Sequence, residues 1–95
     1  MGKPKLKPEI KTESVVQPSP KWNVVVLNDP INFTDYVVLA FMKVLRVTRP
    51  VAKKLMLQVH EEGRAMVWTG DREPAEMMAL ELQQWHLNAI LEKDG

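Results

Sequence analysis

From Trp22 to Leu27 (WNVVVL) nearly every position is apolar, and the run stops at Asn28-Asp29-Pro30. A short apolar run bounded by turn residues predicts a central strand covered on both faces. Pro30 has no N–H to donate and so ends the ladder. A helix is expected from Thr34 or Asp35, either able to cap it, with Val37, Phe41, Val44 and Leu45 at helical spacing. Thr48-Arg49-Pro50 is a second start signal, a capping threonine with proline in the first turn. In that helix Val51, Leu55 and Val59 form the expected apolar stripe, Ala52 and Met56 lie beside it, and Gly63 supplies a left-handed stop. Arg64 to Thr69 (RAMVWT) reads as a second strand closed by Gly70. Asp71 can cap a third helix, with Pro74 in its first turn and Ala75, Met78, Ala79 and Leu82 facing inward. His86 to Glu92 alternates Leu87, Ala89 and Leu91 with less apolar residues and predicts a third strand.

The resulting order, β-α-α-β-α-β, specifies an α+β sandwich of three strands and three helices around one core. No internal repeat is visible. Composition divides the chain in two. Residues 1–21 hold five lysines against two glutamates and four of the seven prolines, with no aromatic residue. Such a segment buries too little apolar surface to offset the entropy of ordering it, so a disordered basic arm is expected. Residues 22–95 carry eight basic and ten acidic side chains and form the expected folded body. A body of this size buries only roughly 60% of its unfolded surface, so stability is expected to be modest.

Other features narrow the classes. The chain has no cysteine, which excludes disulfide staples, thiolate metal sites and cysteine nucleophiles. It has no apolar run of the ~18 residues that would suggest a membrane span, and no apolar signal-like stretch near Met1. A cytoplasmic, membrane-independent protein is the expectation. The arm's lysines raise nucleic-acid binding, but the body is slightly acidic and its aromatics do not interleave with basic residues. His60 and His86 are 26 positions apart, and with Asp29 they form no spacing that signals a catalytic triad or a metal site. Neither a cofactor nor an enzyme is expected.

The remaining chemistry gathers at Asn28, Asp29 and His60. Each has a local explanation. Asn-Asp-Pro after a strand is turn chemistry, and a histidine in a last helical turn suits the negative end of the helix dipole. Together they offer an amide oxygen, a carboxylate and a neutral imidazole nitrogen, which is what an ammonium group requires. Met56 and Val59 lie next to His60 on the helix surface. A polar rim beside an apolar wall suits a ligand with an ammonium at one end and an apolar side chain at the other, such as the N-terminal residue of a peptide.

The segments VVVLNDP, DYVV, KLMLQVHEEGRA and EPAE resemble the ClpS family of adaptors over roughly residues 22–92. The PINFTDYV variant resembles actinobacterial-type members. The resemblance implies a fold like that of the C-terminal domain of ribosomal protein L7/L12, with a three-stranded antiparallel sheet packed on three helices. It also implies an adaptor that binds the hydrophobic N-terminal residue of N-degron substrates. Such an adaptor delivers them to a Clp AAA+ unfoldase, ClpA or ClpC, for degradation by ClpP, and is expected to act as a monomer.

Carried over by position, the family's α-amino-binding residues are Asn28, Asp29 and His60. Its side-chain pocket falls on Asn32, Thr34, Val37, Met56, Val59 and Leu87. Its unfoldase-docking face falls on Glu73 and Met78. Several positions depart from the common pattern: Asn32 stands for a threonine, Thr34 for a methionine that usually gates the pocket, and Met78 for a lysine. These departures leave open a second expectation, a regulator that docks the unfoldase without reading N-terminal residues. The resemblance further implies that the arm engages the unfoldase during hand-off.

Overall fold

The computed structural model describes residues 20–31 and 34–94. The expected arm therefore lies outside the described residues except for Pro20 and Lys21, and so does Asn32. Strand β1 (Trp22–Leu27) is followed by helices α1 (Thr34–Leu45) and α2 (Arg49–Glu62), strand β2 (Arg64–Gly70), helix α3 (Arg72–Gln84) and strand β3 (Asn88–Lys93). The three strands form one antiparallel sheet in the order β2-β1-β3. This is the α+β arrangement expected from the pattern.

β1 is central because both its edges are paired. Val24, Val25 and Val26 are all buried. Val24 and Val26 join the helices in the main core with Val38, Ala40, Phe41, Ala52, Ala75 and Leu82. Val25 points to the opposite face, between Met66 and Ile90 of the outer strands. An ion pair between Arg64 of β2 and Glu92 of β3 joins those strands across β1. The second cover expected over this strand is thus made by neighbouring side chains. Against β2 the register slips between Val24 and Val25, leaving Val67 as the extra residue of a β-bulge. Val67 and Trp68 consequently both pack against the core.

Some helix ends follow the local signals and others do not. Gly63 takes φ 86, and its N–H donates to the Val59 carbonyl, the left-handed stop expected after α2. The inward stripe of α2, however, is Ala52, Met56 and Val59. Val51 is 45% exposed and Leu55 only half-buried, so the expected stripe is rotated by one position. Helix α1 includes Thr34, and Asp35 lies in its first turn, so neither residue sits before the helix as a cap. Thr48 and Asp71 occupy the expected caps of α2 and α3, but neither side chain makes a capping hydrogen bond. The Asp71 carboxylate instead accepts from Lys21 Nζ at 3.1 Å.

The largest correction concerns His86. It is not the start of β3 but the stop of α3. His86 takes φ 66, donates its N–H to the Gln83 carbonyl, and Leu87 donates to the Leu82 carbonyl. These two bonds form a Schellman motif, with buried Leu82 and Leu87 making the accompanying apolar pair. β3 begins two residues later, at Asn88.

Candidate functional site

β1 delivers its C-terminal end, and the Asn28-Asp29-Pro30 turn beyond it, to one end of the sandwich. The turn is held in two ways. Asp29 Oδ1 accepts the Ile31 N–H at 2.9 Å, an Asx-type turn closed by the aspartate's own side chain. The Asn28 N–H donates at 2.9 Å to the carbonyl of Gly63. That second bond ties the strand end to the stop of α2 and brings the turn beside the last turn of the helix, where His60 lies.

The space between is a cavity of about 250 Å³. It is lined by Val26, Leu27, Asn28, Asp29 and Pro30 from β1 and its turn, and by Thr34 and Val37 from α1. Met56, Val59 and His60 come from α2, and Leu87 and Asn88 from the approach to β3. Ligand sites for whole small molecules run to ~300–1,000 Å³, so this one is on the scale of a single residue. Val26, Met56, Val59 and Leu87 are buried and make an apolar floor. Asn28, Thr34, His60 and Asn88 are exposed, Asp29 is half-buried, and together they make a polar rim. Among these lining residues Asp29 is the one carboxylate and there is no lysine or arginine. The rim is therefore rich in acceptors with a negative bias, which suits a cation that donates hydrogen bonds.

Eight residues singled out in the sequence thus surround one cavity: Asn28, Asp29, Thr34, Val37, Met56, Val59, His60 and Leu87. Val26, Leu27, Pro30 and Asn88 line it as well and were not singled out. Asn88 could have been found from pairing alone, since it lies opposite Leu27 in the β1–β3 register. Glu73 and Met78 are elsewhere. Glu73 is exposed in the first turn of α3, in a depression with Pro20, Trp22, Asp71, Arg72, Pro74 and Lys93 at the other end of β1. That end is roughly 20 Å from the cavity, the length of a six-residue strand. Met78 is half-buried and packs against the core rather than lining that depression.

Among the described residues no group of three or more His, Asp, Glu or Cys side chains is placed to hold a metal ion. No helix among them is long and apolar enough to cross a membrane.

Comparison with known proteins agrees with this architecture. Residues 17–89 match the family model for the ATP-dependent Clp protease adaptor protein ClpS. The chain is 42% identical over 73 residues to the ClpS adapter of Mycobacterium marinum, covering 77% of this chain and 72% of the relative. It is 40% identical over 74 residues to that of Mycobacterium leprae, covering 78% and 68%. A solved structure of Agrobacterium tumefaciens ClpS2 bound to L-phenylalaninamide superimposes with a TM-score of 0.79. That match covers 81% of this chain and 100% of the solved one at 23% identity, and so speaks to the fold. The chain belongs to the ClpS family of Clp protease adaptors.

Proposed function

We propose that the cavity binds the free N-terminal residue of protein substrates. Asn28, Asp29 and His60 receive the α-ammonium group. Val37, Met56, Val59 and Leu87 enclose an apolar side chain, with Thr34 at the mouth. The observation that carries this reading is the convergence of three acceptors on the rim of an apolar-floored cavity of single-residue size. In support, ClpS2 of Agrobacterium tumefaciens is known bound to L-phenylalaninamide, which has a free amine beside a large apolar side chain.

On this reading the chain is a non-enzymatic cytoplasmic adaptor, monomeric in itself. It hands N-degron substrates to ClpA or ClpC for degradation by ClpP, with Glu73 and Met78 on the docking helix and the basic arm assisting delivery. Burying a large apolar side chain supplies roughly 1.5–3 kcal/mol. Hydrogen bonds involving the charged amine supply about 1.5–3 kcal/mol each. Neither part alone suffices once the cost of association is met, which makes the free amine obligatory.

The test is fluorescence anisotropy with a peptide beginning with Phe, beside its N-acetylated twin. Selective binding of the free-amine peptide is expected. Failure of both to bind would leave a Clp-docking regulator as the better reading, with the Asn32 and Thr34 substitutions at the pocket as its cause.

A further inference from the structure

The charges of the folded body are segregated. Between Tyr36 and His60 there is no aspartate or glutamate, yet five cations occur: Lys43, Arg46, Arg49, Lys53 and Lys54. All five are exposed. Lys21, Arg64 and Arg72 each lie against a carboxylate, whereas none of these five forms an ion pair among the described residues. Several are placed against local preference. Arg49 and Lys53 are like charges at i and i+4, and Arg49 lies in the first turn of α2, at the positive end of the helix dipole and with no acidic residue beside it. Arg46 takes φ 59, a conformation in which glycine carries no Cβ penalty. Positions that break local rules without a compensating contact in the fold are where a binding role is sought.

Arg49, Lys53 and Lys54 line a shallow groove with Pro50 and Leu57. Leu57 and the adjacent Val51 are each 45% exposed. The groove therefore offers cations interleaved with aliphatic side chains, and no aromatic ring lines it for a base to stack on. The chain's own arm, with five lysines against two glutamates, lacks the complementary charge. The α3 surface of a second copy, with Glu73, Glu76, Met77 and Leu80, has suitable chemistry. A contact between unlike faces of identical copies would build rings or filaments, however, and Glu76 of that surface is already paired with Arg72.

We propose that this face of α2 docks an acidic segment of a partner protein, one in which carboxylates alternate with apolar side chains. The groove's cations, Arg49 to Lys54, lie roughly 9–16 Å along the helix from His60. The surface is thus separate from the terminal-residue cavity, and both can be occupied at once.

The test uses the full chain and a fluorescent peptide repeating Glu-Leu-Glu-Glu, acetylated at its N-terminus so that the cavity cannot engage it. Binding that weakens with salt is expected, and the double substitution Lys53→Glu/Lys54→Glu should reduce affinity by about tenfold or more. The neutral pair Lys53→Gln/Lys54→Gln should fall between. Both variants should retain wild-type circular dichroism and wild-type affinity for the Phe-initiated peptide. Four results would each overturn the proposal. One is undiminished binding by the charge-reversed variant, and another is equal binding of a Glu-Ser-Glu-Glu repeat. The others are tighter binding of a single-stranded oligonucleotide than of the peptide, and self-association by light scattering that the same substitutions abolish.

Discussion

Asp29 combines two tasks in one side chain. One oxygen closes the turn onto Ile31, and the carboxylate as a whole gives the rim its negative bias. Asp29→Asn separates them, since asparagine also closes Asx turns but carries no charge. Affinity for a Phe-initiated peptide should fall about 10–100-fold, the loss of one charge-assisted interaction of ~1.5–3 kcal/mol. Thermal stability should change little. A differential-scanning trace alongside the anisotropy titration checks both, and an equal loss in the two would mean that only the turn was damaged. Thr34 lines the cavity and is exposed, and on the proposed reading it sets selectivity by what it leaves open. Thr34→Met should narrow the entrance with a flexible side chain and increase discrimination against Ile- and Val-initiated peptides relative to Leu and Phe. Affinities for that peptide series, compared between Thr34 and Met at this position, decide the point.

At the scale of elements, the site depends on how helices end. The left-handed Gly63 stops α2 and also offers the carbonyl that holds Asn28. A Cβ at Gly63 would meet no atom within 4 Å, so Gly63→Ala costs conformational energy alone. About 1 kcal/mol is expected, a fall in Tm of roughly 4–8 °C for a domain of this size. Thermal melting of the variant measures it. Gly70 is the opposite case: its Cβ would come within 2.4 Å of the Trp68 ring, so crowding rather than dihedral preference requires glycine there. α3 ends without glycine, on His86, and the turn is reinforced by Tyr36, whose hydroxyl donates to the Trp85 carbonyl at 2.7 Å with the rings 5.6 Å apart. This clasp joins α1, which carries Thr34 and Val37, to the turn that carries Leu87. Tyr36→Phe should lower stability by about 0.5–1.5 kcal/mol and loosen the pocket. Chemical denaturation and the Phe-peptide titration read the two effects.

For the whole molecule, pH acts on the proposed interaction through the ligand. Above about pH 8 the peptide's α-amino group loses its proton, so the ligand loses its charge and affinity should fall, which anisotropy between about pH 7 and 9 checks. His60→Ala should lower affinity for the Phe-initiated peptide at neutral pH by removing one acceptor for the ammonium group, and unchanged affinity would exclude the proposed role. Deleting residues 1–17 should leave peptide affinity intact while reducing degradation of a delivered substrate in a reconstituted Clp reaction.

Much of this molecule was legible along the chain because the signals are local. The VVV run, the turn at Asn28-Asp29-Pro30, the threonine and proline before α2 and the glycine after it each depend on the dihedral and hydrogen-bonding preferences of a few adjacent residues. They determined the order of the elements, and with it the α+β class. The choice of Asn28, Asp29 and His60 came from side-chain chemistry together with the family resemblance. Tertiary structure decided what no local preference encodes. Which side of α2 turns inward depends on the surface it meets, and Ala52 and Met56 fit against the sheet where Val51 does not. The stop at His86 carries no glycine, so only the packing of Leu82 with Leu87 and the Tyr36–Trp85 clasp mark it. The cavity exists because a strand end, two helices and the approach to β3 converge, and contacts between residues so far apart in sequence are fixed by the burial of a shared core.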